Sequence, residues 1–353
     1  MDHKKSLEEL IDLVINQSGS DLHLSEGRHP TVRVGGELVP ITSHPVLTRE
    51  DTKAFLAAMV DPARAARFEE RSQVDFAYAY RDKFRFRGNA FVQQGRVSIV
   101  LRLIPRDIKT LAELSLPNIL ETFAKKRQGF FLVVGPVGQG KTTTLASMIE
   151  LINQERPEHI ITVEDPIEYV YEQKKSIIDQ REVKIDVPSF AEALTGAFRQ
   201  DVDVILVGEM RDPETIAAAV TAAETGHLVF STLHTNNASQ TIDRIIDSFP
   251  ANQQEQIRLQ LASSLLGVFS QRLVPRISGG QVPAYELLIN NSAVANLIRE
   301  KRTHELDSVI ETGSEHGMVD MNRSLVELVS RGEIAIETAY QYSLRPQVLE
   351  RLL

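Results

Sequence analysis

The chain contains no cysteine. Disulfide bonds, thiolate zinc sites and cysteine nucleophiles are therefore excluded together, and the composition suits a reducing compartment. Long apolar runs are also missing, because no stretch approaches the roughly 20 apolar residues that a membrane-spanning helix needs. We therefore expect a soluble, cytoplasmic protein that works at a membrane only through a partner.

A signal peptide is not expected at the beginning of the chain either. Within residues 1–16, Leu7, Leu10, Ile11 and Val14 lie at helical intervals among acidic residues, with no long apolar core. The spacing predicts a folded amphipathic helix.

Positive charge is scarce in the larger part of the chain. The net charge is −9, from 39 Lys and Arg against 48 Asp and Glu. Residues 1–110 hold 17 basic and 15 acidic side chains, whereas the remainder holds 22 and 33. Because a nucleic-acid backbone requires clustered cations, this balance argues against a nucleic-acid partner.

The length of 353 residues favours two domains. A small α+β domain is predicted over 1–104, with strands at 21–24, 31–34, 37–41, 74–80, 83–92 and 96–103 around a helical stretch at 48–71. Turns are predicted at Gly35-Gly36, Arg81-Asp82 and 93–95. Residues 105–117, bounded by two prolines, have little periodicity and are typical of a linker.

An α/β domain with a mostly parallel sheet is predicted over 118–353. Strand-like runs at 130–134, 160–163, 204–207 and 228–231 alternate with helical stretches. Beyond residue 252 the pattern is mainly helical, with a strand pair at 271–276 and 282–289.

The strongest motif predicts a phosphate-binding loop. Residues Gly135, Pro136, Val137, Gly138, Gln139, Gly140, Lys141 and Thr142 match G-x-x-x-x-G-K-[ST], between an apolar run and a helix that Thr143 opens. Backbone N–H groups would surround the phosphates of a nucleoside triphosphate, Lys141 would reach the β and γ phosphates, and the Thr142 hydroxyl would ligate Mg²⁺. The alternative is a chance glycine turn, against which the strand-to-helix context argues.

Two carboxylates follow apolar runs and should reach the same edge of the sheet. Glu164 ends the run at 161–163, and Glu209 follows the run at 204–207. One should orient the attacking water while the other supports Mg²⁺, with Glu209 beside Thr142 as the candidate metal ligands. The sequence does not assign the two roles, and a helix cap or surface turn is the alternative for Glu164.

Histidine and arginine supply further candidates. His234 lies in the polar run 232–237 after a strand and would sense the terminal phosphate, whereas a structural role is equally expected for His227. In the first domain, strand alternation places Arg87 on one face of its strand and Arg96 on one face of the next. They would act as arginine fingers on a triphosphate held by the other domain or by a neighbouring subunit; a solvated sheet face is the alternative.

Together these motifs resemble the PilT and PilU group of type IV pilus retraction ATPases, within the wider family of secretion and pilus motor ATPases. The segments that carry the likeness are 20–24, 85–91, 161–168, 207–212, 222–234 and 293–300. They are similar to the group's opening signature, arginine strand, aspartate box, Walker B motif, histidine box and retraction motif. The likeness covers nearly the whole chain.

The resemblance implies a PAS-like first domain followed by a RecA-like P-loop ATPase domain, with six chains in a ring. It also implies ATP and Mg²⁺ as ligands, and partners in an inner-membrane pilus platform protein and a paralogous motor. The absence of a four-cysteine zinc module favours retraction over extension. The group usually has serine in place of Gln139 and arginine in place of Ala295, which we expect on an exposed helix face.

Three hypotheses follow for function. The first is a Mg²⁺-dependent ATPase ring at the inner face of the cell membrane that powers pilus retraction and twitching motility. The second is a motor for pilus assembly or type II secretion. The third is a nucleotide-gated scaffold that binds ATP without hydrolysing it, against which the lysine and both acidic motifs argue.

Overall fold

The structure is a computed structural model that describes residues 3–81, 83–105 and 107–353. The chain divides into two compact units, residues 1–106 and 107–353. No helix among the described residues is long and apolar enough to cross a bilayer.

The first unit is an antiparallel six-stranded sheet with helices, in the strand order β3-β2-β1-β6-β5-β4. Its elements are α1 (His3–Asn16), β1 (Asp21–Ser25), β2 (Thr31–Val34), β3 (Glu37–Pro40), α2 (Arg49–Met59), α3 (Pro62–Arg71), β4 (Gln73–Tyr80), β5 (Phe84–Gln93) and β6 (Arg96–Ile104). The apolar stripe of α1 is buried as its spacing predicts, and it packs in one core with residues from α2 and the sheet.

The single helical stretch predicted over 48–71 is wrong in one respect, because it is two helices. Val60 is extended, and the Asp61 side chain then accepts a hydrogen bond from the backbone N–H of Arg64 to cap α3. Pro62 follows in the first turn, and a proline disfavours the helical conformation of the residue before it. Asp82, in a predicted turn, and Met1, Asp2 and Arg106 lie outside the described residues.

The second unit is built on a seven-stranded sheet in the order β13-β12-β7-β11-β10-β8-β9. Its strands are β7 (Gly129–Val134), β8 (His159–Glu164), β9 (Ile177–Glu182), β10 (Val204–Val207), β11 (Leu228–Leu233), β12 (Leu265–Pro275) and β13 (Gln281–Ile289). Its helices are α4 (Ile119–Ala124), α5 (Lys141–Glu155), α6 (Phe190–Ala197), α7 (Pro213–Glu224), α8 (Ala238–Asp247), α9 (Ala251–Ser264), α10 (Ser292–Arg299), α11 (Leu306–Thr312), α12 (Met321–Ser330), α13 (Ile336–Tyr342) and α14 (Pro346–Leu352).

All neighbouring strands in this sheet are parallel except β12 and β13. Both faces of the sheet are covered, since Phe130, Leu132 and Val134 of β7 pack in one core whereas Phe131 and Val133 pack in another. This explains the continuous apolar run at 130–134, because a strand buried on both faces does not alternate. The predicted α/β class is confirmed.

Three features of this unit differ from expectation. Strand β9 was not predicted, because its sequence IIDQRE is too polar to indicate a strand. Strand β12 begins at Leu265 rather than at Gln271, directly after α9, where the apolar residues still fit a helix. Ala295 is only 7% exposed and packs in the core, so the expected exposed position is wrong; α10 turns that side inward against α9.

Candidate nucleotide-binding site

The predicted phosphate loop connects β7 to α5 and has the backbone that its glycines allow. Gly138 and Gly140 have φ values of 77° and 76°, in the left-handed region. A Cβ at Gly135 would lie 2.4 Å from the carbonyl oxygen of Gln271, so no larger residue fits there. Gly140 caps α5 without a side-chain hydrogen bond, which leaves the N–H groups of the first turn to bind an anion.

Lys141 extends back over this loop. Its Nζ donates to the carbonyl oxygens of Gly135 at 2.8 Å and Pro136 at 2.9 Å, and it lies 3.2 Å from Nδ1 of His234. The side chain is buried, and burial lowers the pKa of Lys141 while the carboxylates of Glu168 and Glu209 raise it. The three ammonium hydrogens thus have protein acceptors that phosphate oxygens can replace.

Glu164 ends β8 in a buried position. Its Oε1 accepts hydrogen bonds from Thr162 Oγ1 at 2.7 Å and from Gln180 Nε2 at 3.4 Å. Burial raises the pKa of Glu164 to about 7, although these donors and the backbone N–H of Glu168 oppose the rise. A carboxylate whose pKa lies near neutrality is suited to position and polarise a water molecule.

Glu209 follows β10, the strand that pairs with β8. Its Oε1 lies 2.6 Å from Arg211 Nη2, and its Oε2 lies 3.8 Å from Nε2 of His234. Partial desolvation of this half-exposed ring and the Lys141 cation lower the pKa of His234, although Glu209 opposes them, and a lowered pKa favours the neutral ring at pH 7. Because an ammonium group only donates, Nδ1 must be the acceptor from Lys141, and the ring proton is on Nε2, toward Glu209.

The phosphate loop and the three predicted catalytic residues of this unit line one cavity of about 500 Å³, within the range of ordinary ligand sites. Its wall includes Val137, Gly138, Gln139, Gly140, Lys141, Thr142, Thr143, Glu164, Glu168, Glu209, Arg211, Thr232, His234 and Leu273. The strand order explains the convergence, since β7, β11, β10 and β8 are adjacent and parallel, and their carboxyl ends meet at one edge.

The two predicted arginine fingers lie in the first unit. Arg87 pairs with Arg102, and Arg96 pairs with Gln93, so both arginines lie on the same face of the β5–β6 hairpin. Both are exposed; Arg96 lies 3.7 Å from Glu26, and Arg87 makes no ion pair with another described residue. The cationic face is therefore present in this unit.

No group of three or more His, Asp or Glu side chains in the described ranges is arranged as a metal site. The predicted ligands, Thr142 and Glu209, nevertheless line the same cavity. One hydroxyl and one carboxylate suit Mg²⁺, which keeps several waters and takes its other ligands from phosphates.

Several residues that support the site have no recognisable motif in the sequence. Thr162 and Gln180 hold Glu164, and the Tyr169 hydroxyl lies 2.9 Å from Thr143 Oγ1. Gln271, distant in sequence, contacts the phosphate loop itself. Only the alternation Thr162-Val163-Glu164 gave a local signal, because it places the threonine and the glutamate on the same side of β8.

Known proteins resemble this chain along nearly its whole length. The family described as type II/IV secretion system protein matches residues 3–339. A Pseudomonas aeruginosa protein named "Type IV pilus retractation ATPase PilT" is 43% identical over 339 residues, which are 96% of this chain and 98% of that protein. A "Twitching motility protein" of Neisseria gonorrhoeae is 46% identical over 311 residues, 88% of this chain and 83% of that protein.

A solved structure is similar over the same extent. "Crystal Structure of the Pilus Retraction Motor PilT and Bound ADP" has a TM-score of 0.91 and 48% identity to this chain, and the match covers 98% of each. The fold described above is therefore shared with a protein whose structure contains bound ADP.

Proposed function

We propose that this chain, which belongs to the type II/IV secretion system protein family, is an ATPase motor that powers the retraction of type IV pili. The observation that carries the proposal is one cavity in which Lys141 of a phosphate loop meets Glu164, Glu209 and His234. A nucleotide scaffold needs only the loop. Two carboxylates placed beside it favour hydrolysis.

In the proposed mechanism, the loop N–H groups and Lys141 bind the β and γ phosphates, and Lys141 exchanges its carbonyl contacts for phosphate oxygens. Glu164, ionised above its pKa of about 7, orients a water molecule for in-line attack and accepts its proton. Thr142 and Glu209 would hold Mg²⁺, which supplies charge neutralisation at the phosphates. His234, hydrogen-bonded to Lys141, senses whether the terminal phosphate is present, because a phosphate that binds Lys141 changes this contact.

We further assign Arg87 and Arg96 to a triphosphate bound by a neighbouring copy in a homohexameric ring. Their exposure on one cationic face supports this. Arg87 makes no ion pair with another described residue, and the contact of Arg96 with Glu26, at 3.7 Å, is solvent-exposed on the arginine side, so an anion can compete for both guanidinium groups. The ring would act at the inner face of the cell membrane on a pilus platform protein, beside a paralogous motor, with no nucleic-acid partner.

Phosphate release from the purified protein tests the hydrolytic part. Robust turnover by the wild type, lost in Glu209→Gln, is expected. A wild type that binds ATP without releasing phosphate contradicts the proposal and identifies a scaffold. Deletion of the gene tests the direction of the motor: excess surface pili without twitching supports retraction, whereas bald cells identify an assembly motor.

Mixed rings test the arginine assignment. Arg87→Ala and Glu209→Gln proteins, each expected to be inactive, should regain part of the activity when mixed, because some interfaces then contain an intact Arg87 and an intact Glu209. Arg67→Ala, at an exposed position on α3, is the matched control and should retain activity alone. Mixtures that stay inactive refute action between subunits.

A further inference from the structure

We propose that the segment Ser270–Leu273 of β12 couples two loops of the site, with Gln271 as the positioning residue for the phosphate loop. One face of this segment holds the phosphate loop, and the other holds the loop that follows His234. The inference rests on the proposed nucleotide site and adds how its two phosphate-reading loops are kept in register.

The Gln271 side chain bridges the end of the phosphate loop and the first turn of α5. Its Nε2 donates to the carbonyl oxygen of Gln139 at 2.8 Å, and its Oε1 accepts from Thr144 Oγ1 at 2.6 Å. Gln271 is only 3% exposed and Thr144 1%, so water does not replace these bonds at low cost. The side chain thereby fixes where the loop ends and the helix begins.

Two further contacts of β12 constrain the same loop. The Gln139 side chain accepts a hydrogen bond from the backbone N–H of Leu273 at 2.7 Å. The Gln271 carbonyl occupies the space that a side chain at Gly135 would need. The strand therefore touches the phosphate loop near its first glycine and again near its last, which gives the glutamine at position 139 a specific structural use.

The alternate residues of the segment contact a different loop. Ser270 Oγ donates to the carbonyl oxygen of Asn236 at 2.8 Å, and Arg272 Nη2 donates to Asn236 Oδ1 at 3.0 Å. Successive side chains of a strand point to opposite faces, which explains why neighbouring residues serve two loops. Asn236 lies two residues after His234, the group that contacts Lys141.

A movement of the His234 loop in response to the terminal phosphate would thus displace Ser270 and Arg272, which alternate along β12 with Gln271 and Leu273, the residues that contact the phosphate loop. Because both loops are hydrogen-bonded to one short segment, removing the contacts of one loop should change the nucleotide affinity that the other loop provides. The coupling is measurable as a difference between ligands with and without that phosphate.

The test measures the affinities of ADP and of a non-hydrolysable ATP analogue, with Mg²⁺, in four full-length proteins: wild type, Gln271→Ala, Asn236→Ala and the double variant. Loss of two hydrogen bonds should make Gln271→Ala bind both ligands about 10-fold more weakly. Asn236→Ala should keep its ADP affinity and lose several-fold of its preference for the analogue. In the double variant the fold-loss of affinity for the ATP analogue should be smaller than the product of the two single-variant losses.

Asn290→Ala is the matched control, because the Asn290 side-chain amide likewise makes two hydrogen bonds, both donated to backbone carbonyls, those of Ala262 and Leu265. It should lower thermal stability without changing either affinity. Should Gln271→Ala fail to fold, Gln139→Ala removes the hydrogen bond with the Leu273 N–H and should still weaken the binding of both ligands.

Three results are decisive. A Gln271→Ala protein with wild-type affinities overturns the positioning role, and single losses that multiply in the double variant overturn the coupling. Both leave the proposed function intact as long as the wild type binds and hydrolyses ATP. A wild type that binds neither nucleotide refutes the proposed function itself.

Discussion

The acid limb of the activity profile should depend on one buried hydroxyl. Thr162 Oγ1 donates to Glu164 Oε1 at 2.7 Å, and Thr162 is fully buried. Thr162→Val keeps the side-chain volume and removes only this donor. Because the bond stabilises the ionised carboxylate, its loss should raise the pKa of Glu164 further above its value of about 7.

The size of this pKa shift follows from the charge on the acceptor, the Glu164 carboxylate. A hydrogen bond to an ionised group contributes about 1.5 to 3 kcal/mol, and about 1.4 kcal/mol corresponds to one pH unit. Gln180 Nε2 remains near the same oxygen at 3.4 Å and offsets part of the loss. The ionised form is the active one, so activity falls as the pH drops through the pKa, and we expect the limb to move up by about 1 pH unit.

The assay is phosphate release, with kcat/KM followed from pH 5.5 to 9, since that ratio reports groups of the free enzyme. Ser231→Ala is the matched control: it also loses a buried hydroxyl, one that donates to the Val207 carbonyl at 2.8 Å rather than to a carboxylate. The acid limb of the Ser231→Ala profile should stay at the wild-type pH. An unchanged limb in Thr162→Val would refute the assignment of Glu164 as the titrating base.

Three other perturbations have defined outcomes. Glu164→Gln should abolish turnover yet stabilise the protein above pH 7. The pKa of Glu164 rises from 4.5 in the unfolded chain to about 7 in the fold, so the carboxyl costs no stability below pH 4.5, where it is protonated in both states. Above pH 7 it must be ionised in its buried site, which lowers the free energy of unfolding by about 3 kcal/mol. Thermal melts at pH 5 and pH 8 check this, and equal differences from wild type at both pH values would contradict it. Lys141→Ala should lower kcat at least about 100-fold, since one donor to developing charge contributes about 3 kcal/mol; near-normal turnover removes the loop from the mechanism. Gly135→Ala should abolish nucleotide binding, because the new Cβ meets the Gln271 carbonyl. Gly279→Ala is the control: this glycine also has a positive φ but lies in open space, so the variant should lose only about 1 kcal/mol of stability in a denaturant titration and keep nucleotide binding. Equal behaviour of the two variants refutes the steric argument.

The backbone of the predicted phosphate loop could be predicted because its sequence signal is local. A glycine pattern between an apolar strand and a helix specifies a backbone shape within ten residues, and the structure has that shape from β7 to α5. Parallel strands likewise predicted that Glu164 and Glu209 would reach one edge, and both line the same cavity.

What the sequence did not predict depends on contacts between distant residues. Gln271 lies 132 positions after Gln139, and nothing in its neighbourhood indicates a role at the phosphates. Gln180 belongs to a strand whose own residues are polar, and only pairing with β8 brings it to Glu164. The expectation that Ala295 is exposed followed from the arginine that the resembling group usually has at this position, whereas the alanine packs in the core.

The central claim is that the terminal phosphate of a bound triphosphate is gripped by Lys141 and read by groups from separate strands. A crystal structure with a non-hydrolysable ATP analogue and Mg²⁺ tests it most directly. We expect Lys141 Nζ about 3 Å from a terminal phosphate oxygen, released from the Gly135 and Pro136 carbonyls, with Glu164 and Glu209 facing that phosphate. A triphosphate bound elsewhere, or a Lys141 that keeps both carbonyl contacts while the analogue is bound, would contradict the account.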